Sequence, residues 1–164
     1  MCDPVSLTIG AAVLAGGAQI YGGMAANSQG KYEARVSEEN RKHEINARND
    51  AAERGVQAQA RHWRQVAQMQ GEQRAQQAAS GLDISFGSAA DLLGDVAEIG
   101  GQDSMTIARN TETEIKGYEI NAANYTMQGR AARAKGKAAL IGGIIGGTST
   151  ILGGAAQASK MKAG

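Results

Sequence analysis

The stretch Ala79–Leu93, "ASGLDISFGSAADLL", decides the fold. Gly81 is placed to end a helix as its C′ residue, a left-handed position that costs glycine nothing. Asp83 or Ser85 offers a side-chain hydrogen bond inside a turn. Ser88 suits an N-cap ahead of "AADLL", and Asp91, three residues on, puts negative charge at the positive end of the helix dipole. Helix stop, turn and helix start in one short run predict an αα-hairpin, with Gly81, Asp83, Gly87 and Ser88 as its turn residues.

Outward from the turn, two polar arms of about 50 residues each are followed by uncharged ends. The chain divides into an apolar small-residue segment (1–30), a first hairpin helix (31–80), the turn (81–87), a second hairpin helix (88–137) and a Gly-rich apolar segment with basic flanks (138–164). The expected fold is all-α: a long antiparallel helical hairpin whose Gly/Ala-rich apolar ends are helical or flexible, working as an oligomer. Composition agrees. Hydrophobic residues make up 42%, but alanine dominates them, and with aromatics at 4% and a single Pro the chain suits long helices packed through small residues, not a thick globular core.

The second arm carries a seven-residue repeat. Taking Gly94, Gly101, Ala108, Ile115, Ala122, Gly129 and Gly136 as a positions gives Ala97, Ser104, Thr111, Tyr118, Tyr125, Ala132 and Ala139 as d positions, none of them charged. A heptad sustained this far favours a supercoiled seam. Gly94, Gly101, Ala108, Ala122 and Gly129 allow close axes there, while Ile115, Tyr118 and Tyr125 fill wider gaps. The first arm offers a weaker face in Ile45, Ala52, Val56, Trp63 and Val66, interrupted by Asn49, Gln59 and Gln70.

Charge supports the pairing. Residues 31–80 hold nine basic and seven acidic side chains, whereas 81–129 hold two basic and eight acidic. Folding about residue 84 brings Arg74 towards Asp95, Arg64 towards Asp103, Arg54 towards Glu114 and Arg48 towards Glu119. Exposed pairs contribute about 0–1 kcal/mol, so they orient the hairpin more than they stabilise it. The same pairs serve equally between neighbouring chains, and two solvated faces without specific pairing are an open alternative.

A hairpin brings its uncharged ends together. Val5–Gln29 and Ala138–Ser159 each exceed the roughly 20 residues an α-helix needs to cross a bilayer. In the stretch "LIGGIIGGTSTILGG", Leu140, Ile141, Ile144, Ile145, Ile151 and Leu152 alternate with glycine pairs. Gly142 with Gly146 and Gly143 with Gly147 form overlapping GxxxG pairs, and Ala18, Gly22 and Ala26 form a small-xxx-small run. Such spacing lets helix backbones touch, as helices do in lipid. Arg130, Arg133, Lys135 and Lys137 precede the last segment, and Lys160 and Lys162 follow it. These bases suit lipid phosphates, DNA phosphates or an acidic protein surface alike. Burial in lipid and burial against other protein chains both remain open at this point.

Site chemistry is missing. Cys2, the only cysteine, cannot pair within the chain or build a zinc site. "MCDPVSLTIGAAVLAGGAQI" makes a poor secretory signal because Asp3, not a base, precedes its apolar run. His43 and His62 lie on a polar helix without metal-pair partners and are expected to be solvated. "GGIIGG" neither follows a strand nor leads into GK[ST], so it is no phosphate loop. No enzyme, cofactor, metal site or small-molecule ligand is expected, and with a formal net charge of +1 nucleic acid is not an obvious partner.

From the turn onwards, "ASGLDISFGSAADLLGDVAEIGGQDSMTIARNTETEIKGYEINAANYTMQGRAA" resembles the internal virion (ejection) proteins of short-tailed podophages, in particular the small outer-membrane-associated member. The resemblance is carried first by Ser80, Gly81, Leu82, Asp83, Ile84, Gly87, Ser88, Leu92 and Leu93. It continues through Asp103, Thr106, Ile107, Arg109, Asn110, Glu112, Gly117, Tyr118, Ala122 and Asn124, with Ala108 inserted between Ile107 and Arg109. It implies storage inside the capsid near the portal, contact with other internal virion proteins and the portal, proximity to DNA, and release into the host envelope as part of an oligomeric conduit. It implies no catalytic residues. Two further readings stand beside it: a structural capsid-core or portal adaptor that never meets lipid, and a glycine-zipper envelope or pore-forming protein of bacterial origin.

Overall fold

The computed structural model of the chain describes residues 4–81 and 88–163. Two α-helices account for them: α1, Pro4–Ala79, and α2, Ser88–Ala163, each of 76 residues. They pack against each other as a hairpin, and no strand occurs among the described residues. The apolar ends are helical and continue the polar arms without a break. Proline at the first position of α1 costs nothing, because the amide it lacks would have no helical partner there.

Gly81, with φ of +74°, closes α1 in the left-handed conformation. The Ser80 amide donates to the Gln76 and Gln77 carbonyls and the Gly81 amide to Ala78, a tightened last turn that satisfies free carbonyls. Ser80 Oγ donates to the Gln77 carbonyl at 2.8 Å. α2 carries Asp91 in its first turn and Lys160 and Lys162 in its last, both favourable to the helix dipole. Cys2 and the turn residues Asp83 and Gly87 lie outside the described residues.

The chain divides into two compact units, a terminal unit of Met1–Arg41 with Ala123–Gly164 and a turn unit of Lys42–Ala122. In the turn unit, Ala51 and Val66 are buried hydrophobic residues of α1. Val66 lies over Gly100, where an added Cβ would stand 2.8 Å from a Val66 methyl. Gly55 sits against the Thr111 side chain, whose hydroxyl donates to the Ile107 carbonyl at 2.9 Å. Polar bonds cross between the helices. Arg54 pairs with Glu114 at 2.5 Å, Arg48 with Glu119 at 3.7 Å, and Asn121 Nδ2 donates to Glu44 at 3.3 Å. Of the four expected charge pairs, these first two form; Arg64 with Asp103 and Arg74 with Asp95 are not ion pairs. The Glu114 carboxylate holds the Arg54 guanidinium above its ordinary pKa, chiefly through their hydrogen bond.

His62 departs from expectation. His43 is exposed, but His62 is half-buried and its Nε2 donates to the Gly100 carbonyl of α2 at 2.8 Å, so the hydrogen sits on that nitrogen. Gln70 Nε2 reaches the Leu93 carbonyl at 3.4 Å in the same way. His62, together with Gln70, which interrupted the apolar face in the sequence, fastens one helix to the backbone of the other.

The α2 seam of this unit also differs from a strict heptad. Gly100 is buried and Val96, Gly101, Ser104, Ile107, Thr111, Ile115, Tyr118 and Ala122 are half-buried, while Gly94, Ala97 and Ala108 are exposed. A straight helix drifts about 20° per heptad from a 3.5-residue repeat. Followed back from Tyr118, a strict heptad therefore rotates off the contact line: Ile107 takes the place of Ala108, and Gly100 is more deeply covered than Gly101.

Candidate functional site

The terminal unit holds the two uncharged segments, and its inner face is built from glycine. On α1, Gly16, Gly23 and Gly30 are buried at seven-residue intervals, with Ala34 below them. On α2, Gly129, Gly136 and Gly147 are buried and Gly143 is half-buried. A Cβ added at Gly23 would stand 2.8 Å from the Ala139 carbonyl oxygen and 3.2 Å from Gly143 Cα; one at Gly143 would meet the Gln19 carbonyl oxygen at 2.6 Å. At Gly30 the obstacles are the Ala132 carbonyl oxygen at 2.5 Å and Gly136 Cα at 3.1 Å. All of these are backbone atoms, which cannot swing aside. The helices therefore meet main chain to main chain, and the helix-propensity cost of each glycine, about 1 kcal/mol, is offset by contacts a side chain would prevent.

Further along the same seam, Gly147 faces the Gly16 carbonyl and the Ile20 side chain, and Gly154 lies against Ala12. Ala158 is buried at 2% exposure. Covered α2 positions run Tyr125, Gly129, Ala132, Gly136, Leu140, Gly143, Gly147, Ile151, Gly154 and Ala158. Their spacing of three and four residues includes an eleven-residue step, from Gly136 to Gly147 to Ala158. Eleven residues in three turns lies close to the natural α-helix and needs almost no supercoil.

The singled-out residues separate onto two faces. Of the small-residue run in α1, Ala18 and Gly22 are exposed, with nothing near Gly22, while Ala26 is half-buried and its carbonyl oxygen lies over Gly136. Of the two GxxxG pairs, Gly143 and Gly147 face α1. Gly142 faces outward, and Gly146 meets only the flexible end of Gln19. Leu140 and Ile151 are half-buried, whereas Ile141, Ile144, Ile145 and Leu152 are exposed. Among the seam residues, Tyr125 is half-buried and Gly129 buried here, while Ile115, Tyr118 and Ala122 are half-buried in the turn unit.

Filling the inner face with glycine turns the large apolar side chains outward. Leu7, Leu14 and Tyr21 of α1 are 70%, 77% and 76% exposed, and Ile145 and Leu152 of α2 are 63% and 70% exposed. Each helix contains a window long and apolar enough to cross a membrane, of which only 11% in α1 and 6% in α2 is buried. A lone molecule in water does not leave such a surface uncovered without a tendency to associate.

Arg130, Arg133, Lys135 and Lys137 are all exposed. Arg133 and Lys137 line one groove together with Asn27, Lys31 and Arg35 of α1. Arg130 and Arg133 line another with Ala34, Glu38, Tyr125, Thr126 and Gly129. Among the described residues no cluster of three His, Cys, Asp or Glu side chains is arranged to hold a metal ion.

The residues that sequence reasoning passed over are Gly16, Gly23, Gly30 and Gly154. Their signal was available: Gly16, Gly23 and Gly30 repeat at seven, and Gly129, Gly136 and Gly143 repeat at seven in the partner helix. Attention to four-residue pairs concealed it.

Comparison with curated proteins and with solved structures gave no match. The T7 virus internal virion protein gp14 family matches from residue 1 to residue 164, the whole length of the hairpin with its turn and both glycine-lined ends. That is a family of internal virion proteins. With the match spanning every residue, this chain belongs to the T7 virus internal virion protein gp14 family.

Proposed function

We propose that this internal virion protein is stored near the portal with the other internal virion proteins and expelled into the host envelope at infection. There, copies assemble into a conduit for the genome. The observation that carries this reading is the inside-out terminal unit: glycines line much of the contact between helices, and Leu7, Leu14, Tyr21, Ile145 and Leu152 face away from it. Lipid tails or neighbouring copies are the surroundings that satisfy such a surface. In this reading Leu140–Leu152 and Leu7–Tyr21 form the apolar collar of the assembly, most plainly in the outer membrane, and the polar arms extend the channel.

Purified protein added to dye-loaded liposomes tests this. Leakage, with ring-shaped oligomers in the lipid, is the expected result. Failure to bind or permeabilise liposomes at both low and neutral pH would overturn the membrane role and leave a virion adaptor.

A further inference from the structure

We infer that Lys31, Arg35, Arg133 and Lys137 form a phosphate-binding site for anionic lipid headgroups, which fixes how deeply the terminal unit enters a bilayer. The inference rests on the membrane reading above and adds to it a ligand and a boundary. Lys31 is the first charged residue after the uncharged start of α1, and Lys137 is the last before the uncharged stretch Ala138–Ser159 of α2. These positions are far apart in the chain, yet the hairpin places them on a single groove.

The cations come in pairs four residues apart, Lys31 with Arg35 and Arg133 with Lys137, so each pair shares one face of its helix. Asn27 completes the lining with an amide that can donate as well, and no carboxylate lines the groove. All four cations are exposed, and none is in an ion pair among the described residues. Like charges at this spacing disfavour the helix in the absence of an anion. By contrast, Arg48 and Arg54 of the turn unit engage Glu119 and Glu114 across the hairpin.

Position identifies the anion as part of an amphiphile. Immediately towards the chain ends from the groove stand the exposed Tyr21 and Met24 of α1 and Ile141 and Ile144 of α2. A ligand meeting both regions carries phosphate beside hydrocarbon, which a phospholipid does and duplex DNA does not. Long basic side chains at such a border reach the headgroup layer while their stems lie along apolar surface.

The test compares the full chain with K31Q/R35Q/R133Q/K137Q and with R61Q/R64Q/R74Q/R109Q, which removes the same charge from exposed positions of the turn unit. Each is floated with phosphatidylglycerol vesicles and with phosphatidylcholine vesicles, after circular dichroism shows its helix content unchanged. A surface Lys or Arg strengthens binding to anionic lipid by about fivefold. The groove variant, four charges short, is therefore expected to lose roughly several hundredfold in partition to phosphatidylglycerol, with binding to phosphatidylcholine kept, while the turn-unit variant partitions like wild type. Equal losses in the two variants, or no loss in the groove variant, would overturn the site and leave the membrane reading standing. Retained lipid binding with lost affinity for duplex DNA at physiological salt would assign the groove to nucleic acid instead. Failure of the unaltered protein to float with either vesicle would sink the membrane reading and this inference together.

Discussion

The two units of this hairpin hold the same pair of helices together by opposite means. In the turn unit, side chains do it: Val66 over Gly100, Gly55 against Thr111, His62 on a carbonyl of the other helix, and two cross-helix ion pairs. In the terminal unit, backbone meets backbone at Gly23 with Gly143 and at Gly30 with Gly136. The first arrangement buries Ala51 and Val66 between the helices, although Val56, Ile99 and Ile120 face outward there too. The second spends much of its inner face on glycine and leaves Leu7, Leu14, Tyr21, Ile145 and Leu152 outside, which suits surroundings that are themselves apolar.

The largest expected effect comes from breaking the backbone contact. Replacing Gly23 and Gly143 together by Leu forces side chains into main-chain atoms, and should cost about 3 kcal/mol or more in urea unfolding followed by circular dichroism. The matched change at the outward Gly22 and Gly142, where nothing lies nearby, should leave stability unchanged or raise it. With Ala in place of Leu, each outward site should gain about 1 kcal/mol of helix propensity. Equal losses at the two pairs of sites would erase the distinction between inner and outer glycines.

A smaller effect is expected in the turn unit. Val66→Ala removes two methyl groups from a residue only 7% exposed and should cost about 1–2 kcal/mol. Smaller again is Arg54→Gln, which removes the ion pair with Glu114. Both partners are exposed, so the thermal midpoint should fall slightly at low salt and hardly at all at high salt.

The smallest effect is a pH dependence. Lys116 holds the Glu112 carboxyl below its ordinary value of 4.5, first by a hydrogen bond and then by its charge. A depressed pKa means that the contribution is complete above the ordinary carboxylate value and fades as the pH falls through the folded one. Glu112→Gln should accordingly flatten a shallow acid-side slope in the thermal midpoint, and added salt should flatten it too. A slope unchanged by the substitution would exclude this pair as its source.

What could be read in the sequence follows from local rules. Gly81 stops a helix because its left-handed backbone suits glycine, and Arg48 and Arg54 find their acidic partners because a hairpin mirrors its register about the turn. The low aromatic content already spoke for thin helices packed through small residues. The seam was less legible. Gly94 and Ala108 fitted a heptad by composition, but composition does not say how fast a real helix rotates its stripe away from a neighbour. His62 likewise looked solvated until α2 supplied a carbonyl within reach.

By itself, then, the sequence determined an all-helical hairpin with uncharged, glycine-studded ends, because turn chemistry, periodicity and charge are local properties of the chain. Only tertiary structure decided which glycines touch: Gly23 and Gly143 inside, Gly22 and Gly142 outside, though each pair has neighbouring numbers and the same residue type. Facing is a rotation of one helix about its axis relative to another, a quantity set by packing and by nothing within either helix alone. The same rotation gathers Lys31, Arg35, Arg133 and Lys137 onto one groove, a grouping that chain distance concealed.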